Sequence, residues 1–142
     1  TDLTHRFLGP MIERGEGAIL NVASTAAFQP GPNMAVYYAS KSYVLSFTEA
    51  LAYELKPSGV KVSALCPGPT LTGFQARADM EDARLVTMLP STSAEQVAKA
   101  GYEGLRKGKR VIIPGFGNAL TARTAPLLPA FVKLPLVRYL QT

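Results

Sequence analysis

The sequence predicts an α/β fold: a parallel sheet of about three strands with flanking helices. Two observations carry this reading. Three short apolar runs, at residues 18–24, 60–66 and 110–115, have the length and composition of strands. The segments between them are long and contain helical apolar spacing with capping residues, and strands joined in that way run parallel through right-handed crossovers.

Each element can be justified in order. Residues 4–17, THRFLGPMIERGEG, read as the last turns of a helix. Arg14 suits the negative C-terminal end and Gly15 can take the left-handed stop conformation. The run at 18–24 is almost continuously apolar, which predicts a strand buried on both faces. FQPGPN at 28–33 is a loop by composition. A helix follows from about Ala35 to Leu55, with Val44, Phe47, Thr48, Leu51 and Leu55 at helical spacing and Lys56-Pro57-Ser58-Gly59 as its stop. In the second strand Val60, Val62, Ala64 and Cys66 alternate with Lys61, Ser63 and Leu65. Residues 68–90 are long and mixed, with helical fragments expected between Phe74 and Met88.

Ser93 and Gln96 then form a capping box ahead of an apolar stripe at Ala94, Val97, Ala98, Gly101 and Leu105. RVIIPG at 110–115 is the third strand. Residues 116–142 form a basic, apolar C-terminal tail broken by Pro126, Pro129 and Pro135, expected to be a short helix plus irregular chain. The first strand should have a neighbour on its other edge, and no further strand is available here to supply one. Residues 1–142 are therefore expected to be a single partial domain, the later part of something longer, as the absence of an initiator Met at Thr1 also suggests.

Composition excludes several classes. A single cysteine, Cys66, rules out an internal disulfide framework, fits a reducing, cytoplasmic compartment and, with one histidine (His5), argues against a metal site. No apolar run approaches the roughly 18–20 residues needed to span a bilayer, and TDLTHRF lacks the pattern of a signal peptide. The net charge of +5 is uneven: the seven Lys/Arg from Arg106 onward face no Asp or Glu. By charge alone such a tail suits acidic lipid or nucleic acid; the plainer reading, that its carboxylate partners lie elsewhere in the parent fold, is preferred, and no nucleic-acid partner is expected.

Function in a parallel sheet gathers at the carboxyl ends of the strands. Ser24 ends the first strand, Pro67-Gly68-Pro69-Thr70-Leu71-Thr72 follows the second, and YYASK at 37–41 opens the long helix. Tyr37 and Lys41 are four apart, about 40° off register on a helix, and Tyr38 and Lys41 three apart, about 60° off, so periodicity does not choose between the tyrosines. A lysine ammonium roughly 5 Å from a phenol, at an effective dielectric near 20, favours phenolate by about 3 kcal/mol. That is roughly two pKa units, enough to bring a phenol toward the range of a working acid and base.

These motifs together resemble those of the short-chain dehydrogenases/reductases: NVAS at 21–24, Tyr-x-x-x-Lys at 37–41, a 13-residue separation from Ser24 to Tyr37, and PGPTLT at 67–72. The resemblance runs over nearly the whole chain. It implies the C-terminal portion of a doubly wound, Rossmann-like fold, and an oxidoreductase that interconverts a carbonyl and an alcohol with NAD or NADP. It also implies the roles. Tyr37 is the general acid/base, and Lys41 assists it and binds the nicotinamide ribose. Ser24 orients the substrate carbonyl, Pro67 and Gly68 let the backbone pass the nicotinamide, and Thr70 and Thr72 lie near its carboxamide. Tyr38 becomes a spacer. Residues 73–89 would line the substrate pocket, and the helices ending at Gly15 and starting near Ala35 would form the usual homo-oligomer interface.

The chain also departs from the family pattern. No glycine-rich turn precedes the first strand, and the nearest candidate, Gly115-Phe116-Gly117-Asn118-Ala119-Leu120, has Leu120 in place of the third glycine. A second reading is therefore a truncated, non-catalytic domain that persists as a self-associated oligomer. An ester-cleaving nucleophile at Ser24 or Tyr37 is disfavoured because His5 is poorly placed to assist it. Contact of the basic tail with a membrane surface is a further alternative.

Overall fold

A computed structural model describes residues 1–71 and 92–141 of the chain. Helix α1 spans Asp2–Glu13, longer at its start than the few turns predicted, and tolerates Pro10 inside it. It stops as the sequence predicts: Gly15 takes φ +71°, its N–H donates to the Ile12 carbonyl at 3.1 Å, and the Glu16 N–H donates to Met11 at 3.2 Å. Strand β1, Gly17–Val22, leads through a 3-10 turn at Thr25–Phe28 to helix α2, Ala35–Glu54. A turn at Lys56–Ser58 and Gly59, at φ +78°, then reverse the chain into strand β2, Val60–Leu65.

β1 and β2 pair in parallel from Gly17↔Val60 to Val22↔Leu65. Strand β3, Thr70–Leu71, pairs in parallel with β4, Thr92–Ser93, a small second sheet too short for periodicity to reveal. Helix α3, Ala94–Arg106, begins with the predicted capping box: the Gln96 N–H donates to Ser93 Oγ at 3.2 Å and the Ser93 N–H to Gln96 Oε1 at 3.3 Å. Strand β5, Val111–Ile112, completes the main sheet in the order β1-β2-β5. The fold is thus α/β with a three-stranded parallel sheet flanked by helices.

The alternation along β2 sorts the core into two layers. Val60 and Val62 pack with Leu51 of α2, with Leu55 at its C-terminal cap and with Leu8 and Met11 of α1, while Ala64 and Cys66 meet Leu45 and Ala27. Leu65 points the other way, toward Val97 of α3 and Ile112. Gly101 and Gly104 let α3 lie close on that face, since a Cβ at Gly104 would sit 2.6 Å from Ile112 Cδ1.

Two expectations are corrected. β1 is not buried on both faces; Val22 is 56% exposed and the remaining residues are at most half-buried. Burial of a parallel strand depends on its lateral neighbours, and β1 is an edge of the sheet among the described residues. The tail, in turn, is mostly helical: α4 covers Phe116–Thr124 and α5 covers Ala130–Gln141. Pro126 sits in the first turn of a 3-10 segment and Pro129 precedes α5, positions where the missing N–H costs little. The helical fragments expected between Phe74 and Met88 lie outside the described residues.

Candidate active site

The carboxyl ends of β1, β2 and β5 share one edge of the sheet, and the chain extends their pairing beyond the strands. The Ala23 N–H donates to Leu65 at 2.8 Å and the Thr25 N–H to Pro67 at 2.9 Å, which carries Ser24 alongside Pro67. Ser24 Oγ caps the following turn by accepting from the Ala26 N–H at 3.1 Å, and donates to the Pro67 carbonyl at 3.5 Å, the outer limit of a hydrogen bond. The bond that Ser24 donates is therefore weak.

Helix α2 is pinned over the end of β1 by buried polar contacts. Asn21 Nδ2 donates to Thr48 Oγ1 at 3.0 Å, Thr48 Oγ1 donates to the Val44 carbonyl at 2.6 Å, and Ser42 Oγ donates to Ala27 at 2.9 Å. Thr48 is fully buried, so these bonds fix the helix's rotation as well as its place. At its N-terminal end Lys41 Nζ donates to the Val22 carbonyl at 3.3 Å and stands 5.6 Å from the centroid of the Tyr37 ring.

Here the two tyrosines part. Tyr38 is 6% exposed and packs with Ala26 and Val137, and its hydroxyl accepts a 2.6 Å hydrogen bond from Gln141 Nε2. Burial pushes its phenol above the ordinary tyrosine range, against the opposing pull of the Gln141 hydrogen bond. Tyr37 is half-buried and is the tyrosine whose ring the Lys41 ammonium faces.

Ser24, Tyr37, Lys41, Pro67, Gly68 and Thr70 all line one cavity of about 940 Å³. Thr72 and the stretch at 73–89 lie outside the described residues. Thr70 Oγ1 donates to the Gly68 carbonyl at 3.0 Å, closing the Pro-Gly turn. Lys41 approaching Tyr37 beside the Pro67–Gly68 turn fits the nicotinamide and ribose end of a dinucleotide, with the Asn118 side chain packed against the Gly68 backbone. The phosphate end has no comparable cradle among the described residues. The turn at Gly115, φ +87°, does open α4 after β5, but Leu120 stands where the third glycine of a phosphate-binding turn would be.

Asn118 is the residue that sequence reasoning passed over. Its Nδ2 donates to the Pro114 carbonyl at 2.9 Å, and its side chain lies so close to Gly68 that a Cβ there would stand 2.5 Å from it. Gly68 leaves room for this close approach, and a side chain there would make Asn118 shift. The available signal was the Gly-x-Gly-Asn sequence opening a helix after a strand. Gln141 was missed as well, and nothing in the sequence pattern marked it.

Known proteins resemble this chain in sequence and in fold. Residues 1–83 match the family described as short chain dehydrogenase. A 7beta-hydroxysteroid dehydrogenase from Clostridium sardiniense is 34% identical over 107 residues, 74% of this chain and 40% of that protein. A ketoacyl reductase from Nostoc is 36% identical over 101 residues, 70% of this chain and 35% of that protein. Among solved structures, a short-chain dehydrogenase from Sphingobium yanoikuyae in complex with NADPH has a TM-score of 0.71 at 29% identity, with 88% of this chain and 50% of that one covered. The chain spans about a quarter to two fifths of the length of the curated relatives it matches.

Proposed function

The chain belongs to the short-chain dehydrogenase family, and from that premise we propose that it carries the reacting half of an NAD- or NADP-dependent oxidoreductase that interconverts a carbonyl and an alcohol. What supports this reading above all is that Ser24, Tyr37 and Lys41 line one cavity while the hydroxyl of Tyr38 is engaged by Gln141.

In the reducing direction the Tyr37 phenol gives its proton to the carbonyl oxygen, and in the oxidising direction the phenolate takes it back from the alcohol. Lys41 stabilises the phenolate electrostatically and offers its ammonium hydrogens to a ribose hydroxyl. Ser24 Oγ exchanges its long bond to Pro67 for a shorter one to the substrate oxygen, which orients that oxygen toward Tyr37. Pro67, Gly68 and Thr70 would hold the nicotinamide at this wall of the cavity; Thr72, expected to join them, lies outside the described residues. The nicotinamide, when bound, supplies or accepts the hydride.

The substrate is a small carbonyl compound or alcohol, and the compartment the cytoplasm, where Cys66 stays a thiol. The reading is tested by joining the chain to an upstream dinucleotide-binding half and following NADPH consumption with ketones. Replacement of Tyr37 by Phe abolishes turnover and leaves cofactor binding intact; full activity in that variant contradicts the assignment.

A second reading is favoured by a different observation. Leu3 and Phe7 of α1 are 69% and 60% exposed, Tyr43 and Tyr53 of α2 are 56% and 75% exposed, and β1 is an open edge among the described residues. A non-catalytic, self-associating domain would bury these surfaces against a second copy.

A further inference from the structure

Tyr38, the alternative that helical spacing offered for Lys41, is used in another way. Its ring is clamped on several sides. A Cβ on Gly31 would collide with its ring carbons, and the Tyr37 ring meets it edge-on at 5.9 Å and 77°. Val137 of α5, 3% exposed, packs with it and Ala26. Its hydroxyl receives the 2.6 Å bond from Gln141, the last residue of α5, 103 positions away in the chain.

Along α5, Phe131 and Leu136 are 79% and 46% exposed, whereas Val137, just ahead of the final turn, is buried against Tyr38 and Ala26. That final turn also reaches the cavity, where Leu140 joins Tyr37, Met34 and Phe28 in the lining. Gln141 Oε1 is buried without a hydrogen-bond partner among the described residues.

We propose that Tyr38 and Gln141 form a latch that seats α5 as a wall of the cavity and holds the Tyr37 ring in its working orientation. The proposal rests on the oxidoreductase reading given above and deepens it. Tyr38 and Gln141 are positioning residues that act through Tyr37, and the wall they hold is apolar at Leu140 and Met34. The carbonyl compound accepted there carries an apolar substituent on that side.

The test has two arms. In the 142-residue chain, hydrogen exchange is followed for the amides of α5 and of β2 in Tyr38→Phe and Gln141→Leu. Each variant removes the bond and keeps the bulk. The latch predicts about ten-fold faster exchange in α5, unchanged β2 protection, and no further gain in the double variant. Unchanged α5 exchange in both single variants overturns the latch, whatever the chain catalyses. In the chain joined to an upstream dinucleotide-binding half, Tyr38→Phe is expected to lower kcat several-fold, displace the pH profile of kcat, and raise KM most for ketones with bulky apolar groups. An unaltered kcat and pH profile with a loosened α5 overturns the positioning role and leaves the oxidoreductase reading standing. That reading fails separately, through an active Tyr37→Phe variant.

Discussion

Burial moves the acid chemistry of two side chains beside the cavity in the same direction, and one of them gives a direct test. Cys66 is fully buried under α2, and desolvation, reinforced by Glu49 and opposed by a backbone hydrogen bond at Ser24 and by Lys41, pushes its thiol from 9.0 up to about 11. The folded chain therefore holds this proton more tightly than the unfolded one. The resulting stability is fully present below pH 9 and is lost as pH rises from about 9 to about 11. Urea unfolding between these values should show that decline, a Cys66→Ala chain should show a shallower one, and iodoacetamide should leave the native thiol unmodified at pH 8. Gly31 offers a packing test beside it: Gly31→Ala places a Cβ against the Tyr38 ring and should cost about 1–3 kcal/mol in the same experiment. At this scale the sequence was legible wherever chemistry is written in spacing. Ser24, Tyr37, Lys41, Pro67, Gly68 and Thr70 meet at one cavity as their motifs suggest. Asn118 and Gln141 were not legible, because they act on Gly68 and Tyr38 through contacts between residues 50 and 103 positions apart that leave no local pattern.

Elements follow the same division. The end of α1 at Gly15, the span of α2 and the capping box of α3 each depend on local backbone hydrogen bonds, and each appears where its residues indicate. Ser93→Ala removes one half of that capping box and should destabilise the chain by about 1 kcal/mol, read as a lower urea midpoint with an unchanged slope. The burial of β1 and the helicity of the tail were misjudged for non-local reasons. A continuous apolar run says that a strand can be covered on both sides, but the sheet order decides whether it is. Prolines at 126, 129 and 135 break a helical pattern in the sequence, yet Pro126 occupies the first turn of a 3-10 segment, Pro129 precedes α5, and Pro135 is accommodated inside α5.

For the whole molecule, the open edge of β1 and the exposed apolar residues of α1 and α2 lead to a prediction about association. Light scattering after size-exclusion chromatography should find a dimer or larger species, and Phe7→Glu, on the exposed face of α1, should shift it toward monomer. A stable wild-type monomer would argue against self-association through these helices. The fold class was legible at this scale because alternating strands and helices leave few topologies, whereas residues 73–89, expected from the family resemblance to line the substrate pocket, lie outside the described residues. The central claim, that Tyr37 and not its neighbour exchanges the proton with substrate, has one decisive measurement. NADPH-dependent ketone reduction is compared for wild type, Tyr37→Phe and Tyr38→Phe in the chain joined to an upstream dinucleotide-binding half. The account predicts a loss of about 10²–10⁴-fold in kcat for Tyr37→Phe with cofactor still bound, and only a several-fold loss for Tyr38→Phe. A Tyr37→Phe enzyme that turns over at the wild-type rate would contradict it.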